Sequence, residues 1–229
     1  MKIYFVRHGH PDYVNDCLTP LGQKQAESVA ARLSSLPIKQ ILSSTRGRAL
    51  QTAEYTSKLI GVEVTPCRFM REINWNPKDG VTDTKYDSPW SVSSELASQG
   101  VDLTDPLWYE KEPHTSSNVV ASVKEVEQGL DAWLAEQGYK REGAYYRVVG
   151  DSTEGSAAIF SHGGSSSAAL AHLLNIPFIQ LCGLFHLDFT SITTVELSNE
   201  KGRLICPKLL CMNDSVHIKD LTVENVYGS

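Results

Sequence analysis

The first third of the chain alternates between short strand patterns and amphipathic helix patterns, and this alternation constrains the fold more than any other feature. In chain order the sequence predicts strand 2–6, helix 19–35, strand 38–43, helix 46–60 and strand 62–64. A β-α-β-α-β order is typical of an α/β sheet with helices on both faces. We therefore expect a three-layer α/β/α sandwich with a mainly parallel central sheet.

The two predicted helices carry clear end signals. Thr19 suits an N-cap and Pro20 the first helical position, and Gly61 is a typical C-terminal stop. Apolar residues of the first helix recur on one face, at Leu21, Ala26, Val29, Ala30 and Leu33.

This regularity breaks between about residues 72 and 117. The segment holds four prolines and three of the four tryptophans, without a sustained period. Long irregular segments in compact domains are usually lids or binding loops. At 229 residues the chain is of the length of one domain with an insertion. We expect a single domain over 1–229, with a cap-like insertion at about 73–117.

The regular patterns return after this insertion. Val119, Val123, Val126, Leu130 and Trp133 share one face of a long helix. Beyond it, the sequence predicts a pairing of 144–149 with 156–161, a helix over 163–175, and final strands at 190–197 and 203–209.

Two histidines directly follow predicted strands. Strand 2–6 leads into Arg7-His8-Gly9, and strand 156–161 leads into His162-Gly163. Ligands of open α/β sheets gather beyond the carboxyl ends of the strands. Glycines there let backbone N–H groups approach a ligand, and a helix starting at Gly163 directs its positive end to the same place. The two histidines are thus expected to share one crevice if their strands are neighbours.

A third segment, residues 43–53, also follows a strand and opens a helix. It contains Arg46 and Arg48, and a guanidinium near a helix start suits phosphate. Taken alone, both arginines are better explained as solvated residues at a helix start. With the histidine segments they indicate an anion site.

Four blocks together resemble the histidine phosphatase superfamily, the phosphoglycerate mutase-like group. They are Arg7-His8-Gly9, the stretch Leu18–Ala26 (LTPLGQKQA), the stretch Ser43–Ala53 (SSTRGRALQTA) and Ser161–Gly164 (SHGG). They occur in the family's order over about 165 residues of the chain.

This resemblance implies an enzyme without metal or cofactor, acting on a small phosphorylated substrate. His8 matches the nucleophile that becomes phosphohistidine, and Arg7, Arg48 and His162 match the groups that hold the phosphoryl oxygens. An imidazole with a reference pKa of about 6.5 is a competent nucleophile near neutral pH. Positive groups around the equatorial oxygens then supply what phosphoryl transfer needs.

Some expected contacts are less direct. We expect the backbones of Gly9 and Gly163 to contact the phosphate. The family's asparagine position is Val14 here, with Asn15 one place later, and we retain Asn15 as a phosphate contact. His10-Pro11 and Thr45-Arg46 are further departures from the family pattern, and they bear on the finer phosphate contacts.

The leaving alkoxide needs a proton, which in this family comes from a carboxylic acid just beyond the third strand. Glu72 is the candidate, and the same carboxylate would activate the hydrolytic water. A surface ion pair with Arg71 is the plain alternative for Glu72. Asp79 and Glu95 are the next candidates for the acid.

Composition narrows the partners. Lys and Arg number 21 against 27 Asp and Glu, a net charge of −6, so nucleic acid is not an expected partner. No apolar run reaches about 18 residues, and the N-terminal one is too short for a signal peptide, so no membrane is expected. Five cysteines without a C-x-x-C pair fit a reduced cytosol, and we expect a cytoplasmic protein. The oligomeric state is left open.

Three other functions are weighed against a phosphatase. A phosphomutase must keep water out, and residues 73–117 would decide this; the Trp-Asn that continues the first motif of phosphoglycerate mutases is missing. A phospho-ligand binding module is disfavoured because His8, the arginines and the acid are all present. A binuclear metallohydrolase is suggested by His8, His10 and Asp12 in H-x-H-x-D, but Tyr13 stands where the metallo-β-lactamase pattern has another histidine.

Overall fold

Eleven strands and six helices are found in the computed structural model, which describes residues 1–78, 89–150 and 155–221. The strands are β1 (Lys2–Arg7), β2 (Pro11–Asp12), β3 (Cys17–Leu18), β4 (Ile38–Ser44), β5 (Val64–Cys67), β6 (Tyr139–Glu142), β7 (Tyr145–Val148), β8 (Ser156–Ser161), β9 (Ile192–Glu196), β10 (Leu204–Ile205) and β11 (Lys208–Asp214). The helices are α1 (Pro20–Leu33), α2 (Gly47–Ile60), α3 (Pro89–Ser98), α4 (Val119–Glu136), α5 (Gly163–Leu174) and α6 (Phe178–Leu184).

The main sheet has six strands in the order β11-β9-β1-β8-β4-β5. The run β1-β8-β4-β5 is parallel, whereas β9 is antiparallel to both β1 and β11. In the centre, Arg7 at the end of β1 is paired with Ser161 at the end of β8. The two strands that precede the site histidines are therefore neighbours, and the predicted mainly parallel α/β sheet is confirmed.

Alternate residues of β1 face the two sides of the sheet. Ile3 and Phe5 pack with residues of α4 and α5, and Tyr4 and Val6 pack with residues of α1 and α2. Strands covered on both faces bury every side chain. All six residues of β8 are buried accordingly. This places helices on both faces, as the alternation of elements predicts.

One predicted pairing and one predicted strand are wrong. The segment 144–149 does not pair with 156–161: β7 instead pairs with β6, through a turn at Gly143, while β8 inserts between β1 and β4. The single strand predicted over 203–209 is two strands, of which β10 joins β7 in a small sheet and β11 joins the main one. A run of consecutive apolar residues, as in the centre of β8, is suited to a buried parallel position rather than a hairpin.

The described part of the segment predicted as a cap contains α3, a short 3₁₀ turn at Trp108–Glu110, further turns and irregular chain. The Ser93 hydroxyl of α3 donates to the Ile179 carbonyl of α6 at 2.8 Å. Residues 79–88, Asp79 among them, lie outside the described residues. The division into one domain with a cap stays a prediction.

Within the described ranges, no single helix is long and apolar enough to cross a membrane. The bent pair α5 and α6, with 115° between its axes, passes that test of length and composition only when both helices are taken together.

Candidate active site

His8 directly follows β1, at the carboxyl end of this central strand of the sheet, and is 1% exposed. Its backbone N–H donates to the Ser161 carbonyl at 2.9 Å, which joins it to the end of β8. Its Nδ1 lies 2.7 Å from the Gly9 carbonyl, a partner that only accepts, so the proton is assigned to Nδ1. This leaves Nε2 as the atom with a lone pair, and the Arg48 Nε–H donates to it at 3.2 Å.

His162 begins the next loop along the edge, after β8. Its ring lies edge-on to that of His8, with 5.1 Å between the centroids. The Ser44 hydroxyl, at the end of β4, lies 2.8 Å from His162 Nε2. Three parallel strands thus place two imidazoles and a hydroxyl side by side.

Both imidazoles are held in the neutral form. Burial lowers the pKa of His8 well below 6.5, and the neighbouring Arg7 and Arg48 cations lower it further. Burial also lowers the pKa of His162, with additional contributions from His8, Arg48 and Arg46. A neutral His8 keeps its nucleophilic lone pair over a wide range of pH.

The Arg7 guanidinium is held between two aromatic rings. Its carbon lies 4.1 Å from the centroid of Phe189 and 5.4 Å from that of Trp90. One Nη donates to the Leu187 carbonyl, and Nε is buried without a partner in the described chain. A buried N–H without an acceptor is costly, and a phosphoryl oxygen would satisfy it.

Arg48 lies in the first turn of α2 and is fixed by Asp16. Its Nη1 donates to Asp16 Oδ1 at 2.6 Å, and the Gly47 backbone N–H donates to Asp16 Oδ2 at 2.9 Å. Burial acts to raise the pKa of Asp16, but the hydrogen bonds from Gly47 and Arg48 outweigh it, and the net pKa is lowered. The Tyr13 ring covers the same guanidinium, 5.3 Å from its carbon.

Glu72 reaches the site from the chain that follows β5. Its Oε1 accepts from the Ile73 N–H at 2.9 Å and from the Ser165 N–H, in the first turn of α5, at 3.1 Å. No ion pair with Arg71 is found among the described residues. Burial raises the pKa of Glu72, although both N–H groups and the Arg7 and Arg48 cations oppose it. A carboxyl group with a raised pKa suits a general acid.

The three residues expected to make further phosphate contacts, Gly9, Gly163 and Asn15, have other partners in the structure. The Gly9 N–H donates to Thr52 Oγ1 at 3.1 Å. A Cβ on Gly163 would lie 2.3 Å from the Trp90 ring, so this glycine lets the indole approach. Asn15 donates to Asp12 Oδ2 at 2.7 Å on an exposed loop. A phosphate contact by any of the three stays a prediction.

Several residues of the site were missed by the sequence reasoning. Ser44 belongs to a quoted motif, but no local signal links it to a histidine. Asp16 lies on an irregular loop, and Phe189 comes from a distant segment. Only the tertiary contacts bring these three to the two strand ends.

The segment predicted as a cap contains further aromatic and acidic side chains, which have different surroundings. Trp108 and His114 are buried against each other, with 5.0 Å between the ring centroids, and serve packing. Glu95 is exposed on α3, where it accepts from Gln99. Trp75 lines a cavity of about 780 Å³ that also borders Arg48 and Glu72.

His10 and Asp12 of the H-x-H-x-D pattern each contact other groups. His10 Nδ1 lies 2.9 Å from Thr19 Oγ1, and Asp12 accepts from Val14 and Asn15. In the part of the chain that the structure describes, no group of three or more His, Cys, Asp or Glu side chains is placed to hold a metal ion.

Comparison with known proteins agrees with this geometry. The family model of the histidine phosphatase superfamily (branch 1) matches residues 3–208. The chain belongs to this superfamily and is an enzyme of the phosphoryl-transfer type that the family model describes.

The individual proteins similar to this chain match it at low sequence identity or over part of its length. “Putative phosphoserine phosphatase 2” of Hydrogenobacter thermophilus is 26% identical over 96% of this chain and 99% of its own length. “Probable phosphoglycerate mutase GpmB” of Escherichia coli O1:K1 is 32% identical, but over 37% of this chain and 42% of its own. The structure of a mycobacterial glucosyl-3-phosphoglycerate phosphatase is similar in fold, with a TM-score of 0.61 at 22% identity, covering 93% of this chain and 98% of the other.

Proposed function

We propose that this protein hydrolyses phosphomonoesters of small metabolites through a phosphohistidine at His8. The observation that carries the proposal is the buried, neutral His8, whose unprotonated Nε2 accepts a hydrogen bond from the Arg48 Nε–H at 3.2 Å. Arg7 and His162 lie beside it, at the carboxyl ends of β1 and β8. A fixed nucleophile surrounded by preorganised positive donors is what phosphoryl transfer requires.

The first step transfers the phosphoryl group. His8 Nε2 forms a bond to phosphorus, and the bond from phosphorus to the ester oxygen breaks. Arg7, Arg48 and His162 stabilise the negative charge on the equatorial oxygens. The leaving oxygen takes the proton of the Glu72 carboxyl group and departs as an alcohol.

The second step returns the enzyme to its starting state. The Glu72 carboxylate now accepts a proton from water, whose oxygen attacks phosphorus as the bond to His8 breaks. Inorganic phosphate leaves, and Glu72 is again protonated. Each group thus acts in both directions, as microscopic reversibility demands.

The relatives support hydrolysis over isomerisation. The relative that aligns over nearly its whole length bears the name of a phosphatase, whereas the one named as a mutase aligns over 42% of its length. A phosphomutase remains the second candidate because of this partial likeness. Release of inorganic phosphate without an isomerised phosphoester distinguishes a phosphatase from a mutase.

Trapping the intermediate tests the mechanism. Quenching the enzyme with ³²P-labelled substrate should give a label that is stable in alkali and lost in acid, on the peptide containing His8. His8→Ala should abolish label and turnover, whereas His162→Ala should slow transfer and keep a labelled peptide. Near wild-type hydrolysis by His8→Ala would reject the mechanism.

A further inference from the structure

The cavity beside the catalytic groups is larger than a phosphoryl group needs. Its volume is about 780 Å³, within the range of pockets that hold whole small molecules. Arg48 and Glu72 mark the end where the phosphoryl group reacts, and the rest of the space is available to the leaving group. The side chains that line this remaining space therefore determine which alcohol the enzyme accepts as the leaving group.

Four arginines line this cavity: Arg46, Arg48, Arg68 and Arg71. Two of them have carboxylate partners. Arg48 pairs with Asp16 at 2.6 Å, and Arg68 pairs with Glu125 at 3.4 Å. Within the described residues, neither of the other two makes a side-chain hydrogen bond or an ion pair.

These two unpaired guanidiniums, of Arg46 and Arg71, enter the cavity from different elements. Arg46 is the N-cap residue of α2, where the positive end of the helix adds to its charge. Arg71 follows the 3₁₀ turn after β5 and is half-buried, immediately before Glu72. The remaining acid of the lining, Glu72, is bound to backbone N–H groups and does not neutralise them.

We propose that Arg46 and Arg71 bind a second anionic group of the substrate, a carboxylate or a second phosphate. The inference rests on the proposed function, because it assigns the leaving group of that same reaction. A guanidinium offers paired donors that match either oxyanion. Phosphomonoesters with a second negative group would be selected, and those with a neutral or cationic end would be disfavoured.

The test uses four substrates with the same three-carbon chain. Propyl phosphate has a neutral end, 3-(phosphonooxy)propanoate a carboxylate, propane-1,3-diol bisphosphate a second phosphate, and 3-aminopropyl phosphate an ammonium. For the wild-type enzyme, kcat/KM should be about tenfold or more higher on the better of the two anionic substrates than on propyl phosphate, and lowest on the aminopropyl ester. The higher of the two values identifies the group that is bound.

Three variants locate the effect. Arg46→Gln and Arg71→Gln should each lower kcat/KM on the preferred anionic substrate at least fivefold more than on propyl phosphate. Arg68→Gln is the matched control, since Arg68 lines the same cavity but is paired with Glu125. We expect it to change the ratio of the two kcat/KM values by no more than about twofold.

Binding supplies a readout that does not depend on turnover. Calorimetry in a His8→Ala background uses 3-(phosphonooxy)propanoate and the bisphosphate as ligands. Arg46→Gln and Arg71→Gln should each raise the Kd of the preferred ligand. Added salt should reduce the difference in Kd between these variants and the protein that keeps both arginines.

The outcomes separate this inference from the function on which it rests. Hydrolysis of propyl phosphate with no preference for an anionic end, or equal losses on all four substrates, would reject the roles of Arg46 and Arg71 and leave the phosphatase intact. Absence of any phosphohistidine would reject the proposed function. The calorimetric result would then still decide whether the two arginines bind an anion.

Discussion

At the residue scale, opposite changes in pKa prepare His8 and Glu72 for opposite tasks. Burial favours the neutral form of each, which lowers the pKa of the imidazole and raises that of the carboxyl group. The neutral imidazole carries a lone pair and the neutral carboxyl group carries a proton. One physical cause, the removal of water from the sheet edge, therefore produces both a nucleophile and an acid.

Glu72→Gln tests the acid at this scale. The variant should slow propyl phosphate by about 10²–10⁴-fold, because the alkoxide then leaves without a proton. It should slow the transfer step with p-nitrophenyl phosphate far less, because p-nitrophenolate leaves readily unprotonated. Pre-steady-state release of p-nitrophenol measures that step.

Glu125→Gln is the control for the acid, as it removes a carboxylate from the same cavity that is paired with Arg68. Glu125→Gln should leave the ratio of the rates on propyl phosphate and p-nitrophenyl phosphate unchanged. If Glu72→Gln slows both substrates equally, the proton comes from another group.

At the scale of elements, the site depends on the close approach of the loop after β1 to the first turn of α1. A Cβ on Gly22 would lie 2.2 Å from the His10 carbonyl oxygen, and one on Gly9 would lie 2.6 Å from the Gly22 carbonyl oxygen. Backbone meets backbone here, so no side chain can move aside. The two glycines therefore fix the position of the loop that carries His8.

Gly22→Ala should destabilise the fold by about 1–3 kcal/mol, as typical of overpacking, and lower kcat through displacement of His8. Gly155→Ala is the matched control, because its Cβ would meet only the Lys39 side chain, at 3.3 Å. Urea unfolding and kcat on propyl phosphate measure both effects. Wild-type stability and kcat in Gly22→Ala would show that the loop tolerates the shift.

At the scale of the whole molecule, the buried histidines link stability to pH. Because the pKa of His8 and of His162 is lower in the folded state, the unfolded chain binds more protons below about pH 6.5. The free energy of unfolding then falls as the pH decreases below that value, by up to about 1.4 kcal/mol per pH unit for each histidine. Glu72, whose pKa is raised, acts in the opposite sense at pH values above 4.5.

Urea unfolding at pH 7.5 and pH 5.5 measures this linkage. His8→Gln and His162→Gln should each lose less stability between the two pH values than the wild type, whatever their stability at pH 7.5. Subtracting the loss of each variant from that of the wild type cancels the contributions of the other titrating groups. An identical loss in wild type and both variants would show that neither histidine is neutral because of burial.

The sequence alone determined the features that local chemistry fixes. Thr19 caps α1 by accepting the Gly22 N–H at 3.1 Å, and Gly61 ends α2 at a φ of 71°, because each signal acts within one turn of its helix. The order of strands and helices likewise follows from patterns a few residues long. Those patterns also placed His8 and His162 directly after strands.

Only the tertiary structure decided which strands are neighbours and which distant side chains meet. The insertion of β8 between β1 and β4 depends on burying its apolar residues on both faces, which no local pattern distinguishes from a hairpin strand. Asp16 reaches Arg48 across 32 positions of the chain, and Ser44 reaches His162 across 118. Contacts at such separations are set by the packing of the whole core, since their energy appears only once the intervening elements have folded.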